Sequence, residues 1–173
     1  MSTPPLAYIG HDRFVADVRA LAALLKGDDW RPDFLVGIGR GGLTPAVYLS
    51  HATGIPLLSV DHSSHVPTFG DELLARLAAS TATGTRILIV DDINDSGRTL
   101  AYLRKAIAAA GGDAPNLRFA VLIDNIRSIE TVDYRARTID RDEEKSWFVF
   151  PWEAMADRED ALVEAAIVHN QVA

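Results

Sequence analysis

The chain has 173 residues, of which 48% are apolar, and this length is sufficient for one buried core. A net charge of −7 without a cluster of Lys and Arg argues against a nucleic-acid partner, and the absence of cysteine excludes disulfides and a cysteine nucleophile. No apolar run reaches the length of a membrane span, and the N-terminus lacks the features of a secretion signal. We therefore expect a single domain, residues 1–173, in a cytoplasmic protein that binds neither membrane nor nucleic acid.

Short apolar runs alternate with helix-like segments along most of the chain. Helices are predicted at His11–Lys26, Gly42–His51 and Gly97–Ala110, and strands at Asp33–Ile38, Pro56–Val60, Arg86–Val90 and Leu117–Ile123. Strands that alternate with helices at this spacing predict an α/β fold with a doubly wound, mainly parallel sheet. Ligands of such sheets bind at the carboxyl ends of the strands, and we expect the chemistry there.

Two segments do not fit this alternation. Residues 61–84 form a long excursion with a short helix-like piece at 71–80, and a long loop at the carboxyl end of a strand is often a mobile lid. Residues 134–153 are interpreted as an appended strand and a small cap, or hood, followed by a C-terminal helix at about 154–170. We expect both segments to border the site.

A glycine-rich stretch with the sequence LVGIGRGGL includes the end of the first predicted strand of the sheet. Its residues Gly37, Gly39 and Gly42 have the spacing G-x-G-x-x-G, and Asp61 follows about 20 residues later, as in dinucleotide-binding proteins. A nicotinamide or flavin site is therefore one interpretation. Against it, Arg40 occupies a position where the backbone usually approaches the ligand closely.

The segment DDINDSGRTL, directly after Val90, is a second candidate phosphate site. Two adjacent carboxylates, Asp91 and Asp92, come first, and a Ser-Gly-x-Thr turn then opens a helix. Unpaired backbone N–H groups and the positive end of the helix dipole lie at such a turn and bind phosphate. The residues that would surround one phosphate are Asp95, Ser96, Gly97, Arg98 and Thr99. The acid pair indicates a ribose diol, Mg²⁺ or both, and a dinucleotide-binding protein needs no such second loop.

The string ILIVDDINDSGRTL resembles the phosphoribosyl-diphosphate (PRPP) binding motif of type I phosphoribosyltransferases. In the same way, GIGRGGLTPA is similar to the pyrophosphate loop of the xanthine-guanine and hypoxanthine enzymes, and WFVFPWE is similar to their purine-site segment. The resemblance implies the type I phosphoribosyltransferase fold with a flexible lid loop and a small C-terminal hood. It also implies an enzyme of purine salvage, which transfers the 5-phosphoribosyl group from PRPP to hypoxanthine, guanine or xanthine and releases pyrophosphate.

The resemblance assigns PRPP contacts to Gly39, Arg40, Gly41, Gly42, Asp91, Asp92, Asp95, Ser96, Gly97, Arg98 and Thr99. Asp91 and Asp92 would bind the ribose hydroxyls and help to hold Mg²⁺, directly or through water. Two residues would take part in catalysis: Asp95 as general base toward N7 of the purine, and Arg40 through the leaving pyrophosphate. Related enzymes carry a cis non-proline peptide in the first loop, and we expect it between Gly39 and Arg40.

For the base, the resemblance implies that Trp147 stacks on the purine and that the backbone at Phe148 contacts the base edge. Asn125 stands where the purine enzymes carry a Lys that donates to the exocyclic O6, so any hydrogen bond from this position is not charge-assisted. In the lid, the family's Ser-Tyr pair corresponds best to Ser63, Ser64 and His65.

Two other functions are compatible with these departures from the family pattern. One is a PRPP-sensing or nucleotide-sensing regulatory protein with little turnover, and the other is phosphoribosyl transfer to a different acceptor base. The resemblance further implies a homodimer or homotetramer.

Overall fold

A parallel sheet of five strands organises the molecule, whose computed structural model describes residues 4–60 and 67–160 together with 162, 163 and 165. In chain order the elements are β1 (Leu6–Tyr8), α1 (His11–Gly27), β2 (Phe34–Ile38), α2 (Gly39–Thr53), β3 (Leu57–Val60), α3 (Pro67–Ala82), β4 (Ile87–Asn94), α4 (Arg98–Ala109), β5 (Leu117–Asn125), β6 (Tyr134–Ile139) and β7 (Trp147–Val149). The sheet order is β3-β2-β4-β5-β6, and every neighbouring pair is parallel. The carboxyl ends of all five strands therefore lie along one edge.

Helices cover both faces of this sheet. Leu88 and Val90 of β4 pack against α1 and α2, whereas their neighbours Ile87 and Ile89 pack against α3 and α4. Because successive side chains of a strand point to opposite faces, a strand covered on both sides must be apolar throughout. The run Ile87–Val90 meets this requirement, and the predicted doubly wound α/β fold is confirmed.

A second, two-stranded sheet lies beside the first. β1 pairs in parallel with β7, so that Leu6 is opposite Trp147 and Tyr8 is opposite Val149. The backbone N–H of Ile9 extends the pairing by donating to the carbonyl of Val149 at 2.8 Å. The N-terminal segment thus anchors the hood. The sequence analysis did not predict this sheet, because strands of three residues are too short for a recognisable periodicity.

Most of the predicted lid is a helix. The helix-like piece predicted at 71–80 is extended in α3, and Leu74, Leu77 and Ala78 are buried against the sheet. The described part of 61–84 is therefore largely helical, because these apolar side chains complete the second core, and the action of this segment as a lid stays a prediction. The lid residues Ser63, Ser64 and His65 lie outside the described residues.

The ends of three other elements also differ from the predictions. β4 continues to Asn94, so Asp91 and Asp92 belong to the strand and do not follow it. β6 joins the main sheet, so the name hood is used below only for residues 140–153. Within the described part of the C-terminal region the helix begins at 158, not at 154, because residues 154–156 form a turn after the 3-10 turn Pro151–Glu153.

None of the helices in the described part of the chain combines the length and the apolar character that are needed to cross a membrane.

Gly42 fixes the distance between α2 and β4. A Cβ atom at Gly42 would lie 2.2 Å from the carbonyl oxygen of Val90, so even a methyl group would push the helix away from the strand. We predict that Gly42→Ala lowers the free energy of unfolding by about 1–3 kcal/mol in urea denaturation.

Gly27→Ala is the matched control for this substitution, because Gly27 is also helical and a Cβ atom there meets nothing within 4 Å. We expect it to change stability little or to raise it slightly. Equal losses in the two variants would contradict the close approach of α2 to β4.

Candidate functional site

Two glycine-containing loops meet at the carboxyl edge of the sheet. Loop 1, residues 39–42, follows β2 and forms the first turn of α2, and loop 2, residues 95–99, follows β4 and runs into the start of α4. A Cβ atom at Gly41 would lie 2.5 Å from a carboxylate oxygen of Asp92. The structure therefore brings the predicted pyrophosphate loop directly beside the acid pair that precedes loop 2.

Loop 1 turns through a left-handed glycine. Gly39 has a φ of +55°, which glycine adopts without the steric penalty that other residues incur. No cis peptide bond occurs in the described residues, so the expectation of a cis bond between Gly39 and Arg40 is wrong. The exposed side chain of Arg40 follows this glycine directly.

Asp91 and Asp92 are half-buried carboxylates with perturbed acidity. Burial, and then the charge of Asp92, raise the pKa of Asp91 well above its usual value. Burial, and then the charge of Glu153, raise the pKa of Asp92 to about 7. Glu153 is held in the hood because its carboxylate accepts the backbone N–H of Phe150 at 2.7 Å. This concentration of negative charge favours a cation or a hydroxyl-rich ligand beside the pair.

The acid pair fits the way in which proteins bind Mg²⁺. In the described part of the chain, no group of three or more Asp, Glu or His side chains is arranged to hold a metal ion by itself. Mg²⁺, however, is usually bound through one or two carboxylates together with waters and substrate phosphates. Asp91 and Asp92 match that smaller donor set.

Buried polar contacts at the end of β4 hold loop 2 in place. Asn94 is only 1% exposed, and its amide donates to Asp124 and to the carbonyl of Glu130, both at 2.8 Å. Its oxygen accepts the hydroxyl of Ser128 at 2.9 Å. Gly97 has a φ of +83°, and a Cβ atom there would lie 2.6 Å from the same hydroxyl. Asn94 was not among the predicted site residues, because its role depends on contacts with Asp124, Ser128 and Glu130, which lie 30 or more residues away in the chain.

The start of α4 provides the geometry expected of an anion site. No side chain caps the helix at Gly97, and the hydroxyl of Ser96 accepts the N–H of Arg98 only at the long distance of 3.4 Å. Backbone N–H groups and the positive end of the helix dipole therefore face this edge of the sheet. Ser96 and Thr99 are half-buried there, and Arg98 is exposed.

Asp95 is paired with an arginine that the sequence analysis did not single out. The guanidinium of Arg141 donates to both carboxylate oxygens of Asp95, from Nε at 2.9 Å and from Nη2 at 2.8 Å. Arg141 lies in the charged run RDEEK of the hood. Arg141 differs from the other charged residues of this run by its contact with Asp95, and no local sequence pattern indicates that contact.

Asn125, the residue predicted to bind the base, is buried and makes several contacts. Its amide donates to the carbonyl of Asp95 at 3.0 Å, and its oxygen accepts the backbone N–H groups of Arg127 and Arg141 at 3.1 and 3.3 Å. These bonds make it a connector between loop 2 and the hood. Its contact with a base stays a prediction.

Most aromatic residues of the hood pack against the rest of the protein. Trp147 is half-buried, whereas the side chain of Phe148 belongs to the core. Phe150 stacks on Trp152 with 4.8 Å between ring centroids, and Trp152 contacts Phe14 of α1 edge to face at 5.3 Å. Trp147 is thus partly accessible to solvent, and its stacking on a base stays a prediction.

The fold is that of an α/β protein with a doubly wound sheet, and two glycine-containing loops lie at the carboxyl edge of this sheet. The profile of the family described as "Phosphoribosyl transferase domain" matches residues 8–159, and the chain belongs to this family. This result confirms the resemblance to type I phosphoribosyltransferases.

Similar solved structures agree with this assignment. The chain is 30% identical to a purine phosphoribosyltransferase from Pyrococcus horikoshii, with a TM-score of 0.66 over 88% of this chain and 97% of that one. It is 22% identical to the xanthine-guanine-hypoxanthine phosphoribosyltransferase of Helicobacter pylori, with a TM-score of 0.63 over 86% and 94%. A hypothetical protein from Neisseria gonorrhoeae with bound ppGpp is also 22% identical, with a TM-score of 0.67 over 96% and 99%. The last two similarities show the fold alone.

The raised pKa of Asp92 makes stability depend on pH. Because the pKa of Asp92 is about 7 in the folded protein and ordinarily 3.8, the folded state binds the proton more tightly than the unfolded state, and stability falls as the pH rises from about 4 to about 7. We predict that Asp92→Asn raises the free energy of unfolding at pH 8 by about 1–3 kcal/mol and has little effect at pH 4, as measured by urea denaturation at both values.

Asp140→Asn is the control of opposite sign. The hydrogen bond from Arg127 holds the pKa of Asp140 below its usual range, so this substitution removes a favourable interaction and stability at pH 8 should not increase. A gain in both variants would show a general effect of negative charge and not the local burial of Asp92.

Proposed function

We propose that the protein transfers the 5-phosphoribosyl group from PRPP to a ring nitrogen of a purine base, with release of pyrophosphate. Membership of the phosphoribosyl transferase family supports the transfer itself. The observation that carries the assignment of the site is the close approach of Gly41 to the carboxylate of Asp92, which leaves no space for a Cβ atom and brings loop 1, the acid pair and loop 2 together at one edge of the sheet.

The parts of PRPP correspond to three features of this edge. The 5′-phosphate would bind the N–H groups of loop 2 and the hydroxyls of Ser96 and Thr99. Asp91 and Asp92 would accept hydrogen bonds from the ribose hydroxyls. The pyrophosphate would lie on the backbone of loop 1, where the guanidinium of Arg40 can bind two of its oxygens.

The acceptor base would stack on the half-buried Trp147, with its edge against the backbone at Phe148. A purine is favoured because the relative from Pyrococcus horikoshii, at 30% identity, is described as a purine phosphoribosyltransferase. Asn125 would donate a neutral hydrogen bond to the base edge. We expect hypoxanthine, guanine or xanthine to be used.

In the reaction, the bond between the anomeric carbon and the pyrophosphate oxygen breaks as the bond to the base nitrogen forms. The transition state of such a glycosyl transfer is oxocarbenium-like, so no covalent protein nucleophile is needed. Arg40 and the amides of loop 1 would stabilise the charge that develops on the leaving group. Asp95 would accept the proton that N7 of the purine loses.

Mg²⁺, when it is bound by Asp91 and Asp92, would supply positive charge to the pyrophosphate and lower the cost of placing two carboxylates together. The lid residues Ser63, Ser64 and His65 would exclude water that could hydrolyse the sugar. We further expect a cytoplasmic homodimer or homotetramer.

The deciding experiment is an assay of pyrophosphate release from PRPP and Mg²⁺ with hypoxanthine, guanine, xanthine, adenine and pyrimidine bases. Release with a 6-oxopurine supports the proposal, and release only with another base would reassign the acceptor. No release with any base, together with tight PRPP binding, would indicate the sensing function.

The double variant Asp91→Asn with Asp92→Asn tests the roles of the acid pair. We expect its PRPP affinity in the presence of Mg²⁺ to fall about tenfold or more, because hydrogen bonds to charged groups are lost, as measured by calorimetry. An unchanged affinity would contradict the proposed ribose and metal contacts.

Trp147→Leu tests stacking of the base. We expect the KM of the base to rise about tenfold and that of PRPP to stay within about threefold, as measured by steady-state kinetics, because one stacking contact is worth about 1–3 kcal/mol. Trp30→Leu is the control, because Trp30 precedes β2 at the opposite edge of the sheet and packs against Arg118 at 4.6 Å. Similar kinetic changes in the two variants would contradict a direct role for Trp147.

A further inference from the structure

Arg141 makes contacts on two sides of the site. Its fork to Asp95 is shielded, since the side chains of Arg141 and Asp95 are 16% and 19% exposed. On its other side, Nη1 donates to the carbonyls of Glu144 and Ser146, at 3.1 and 2.7 Å. Four of the five N–H groups of the guanidinium are thereby used within the described part of the chain.

The bonds of Arg141 in the hood end next to the segment that we expect to contact the base. Ser146 directly precedes Trp147, and the guanidinium lies over the ring of Phe148 at 5.1 Å. Because a guanidinium is planar and rigid, the position of Asp95 and the position of the chain at 146–148 are linked through one group. A flexible lysine could not make this set of bonds.

A second connection reinforces the first. Asn125 is 4% exposed, holds the carbonyl of Asp95 and accepts the backbone N–H of Arg141. Asp95 is therefore fixed through both its side chain and its main chain. Loop 2 has further support from Asn94 and Gly97, which lie against the segment 128–130.

We propose that Arg141 is a positioning residue of the transfer reaction, which orients the carboxylate of Asp95 and ties loop 2 to the base segment at 146–148. The pairing does not occupy Asp95 fully, because a carboxylate has about four acceptor positions and Arg141 uses two of them. The remaining positions can accept the proton of the purine. Arg141 thus orients the carboxylate of Asp95 and leaves acceptor positions for the base.

This inference rests on the proposed function and makes a separate kinetic prediction. In Arg141→Gln, kcat should fall about 100-fold, as expected when a reacting group is misplaced by about 1 Å. The KM of the base should rise severalfold. The dissociation constant of PRPP should change by less than about threefold, because the phosphate-binding amides of loop 2 are held by Asn94 and Gly97.

The experiment compares wild type, Arg141→Gln, Arg141→Lys, Asp95→Asn and the double variant of Asp95→Asn with Arg141→Gln in the pyrophosphate-release assay. If Arg141 acts through Asp95, its removal should have little further effect once the carboxylate is absent. Arg141→Lys retains the positive charge but cannot make the two parallel hydrogen bonds to Asp95. If kcat falls about 100-fold in Arg141→Gln, we expect that of Arg141→Lys to stay more than about tenfold below wild type. Thermal denaturation of each variant separates unfolding from loss of rate.

Arg127→Gln is the matched control, because Arg127 is a nearby arginine whose guanidinium binds other carboxylates, those of Asp140 and Asp142 in the hood. Its side chain is 53% exposed, compared with 16% for Arg141. We expect its kinetic constants to match those of wild type.

The outcomes distinguish the two proposals. A wild-type protein that releases no pyrophosphate with any base overturns the proposed function and this inference together. If the wild type is active, any of three results overturns the inference alone. The first is an Arg141→Gln variant with unchanged kinetics, and the second is an equal loss from Arg141→Gln in the presence and absence of the Asp95 carboxylate. The third is full recovery of kcat in Arg141→Lys.

Discussion

The close approach of helix α2 to strand β4 is the constraint on which the rest of the site depends. Gly42 lies against the carbonyl of Val90, and Gly41 lies against the carboxylate of Asp92, at distances that leave no space for a Cβ atom. Loop 1 can therefore share a ligand with the acid pair and loop 2. The glycines of loop 1 serve this approach, and one of them, Gly39, also provides the turn.

Packing loop 1 over the end of β4 has an electrostatic consequence. It shields Asp91 and Asp92 from water, and Glu153 adds a third negative charge from the hood. In the free protein, burial and the repulsion between these carboxylates raise the pKa values of Asp91 and Asp92. A cation or a sugar diol at the same place would reduce this unfavourable interaction.

Local patterns were sufficient to predict the sheet, the glycine loops and the acid pair, because apolar runs and motif spacing express them directly. The sequence could not reveal contacts between distant segments. The pairing of β1 with β7, the fork between Arg141 and Asp95 and the connecting role of Asn125 each join residues that are remote in the chain. The extent of α3 was underestimated because long-range packing of Leu74 and Leu77 stabilises it.

A crystal structure of the protein with PRPP and Mg²⁺ tests the central claim most directly. The account predicts the 5′-phosphate at the amides of residues 95–99, the ribose hydroxyls at Asp91 and Asp92, and the pyrophosphate along residues 39–42 within reach of Arg40. Electron density for the pyrophosphate away from loop 1, or for the 5′-phosphate away from the start of α4, would contradict it.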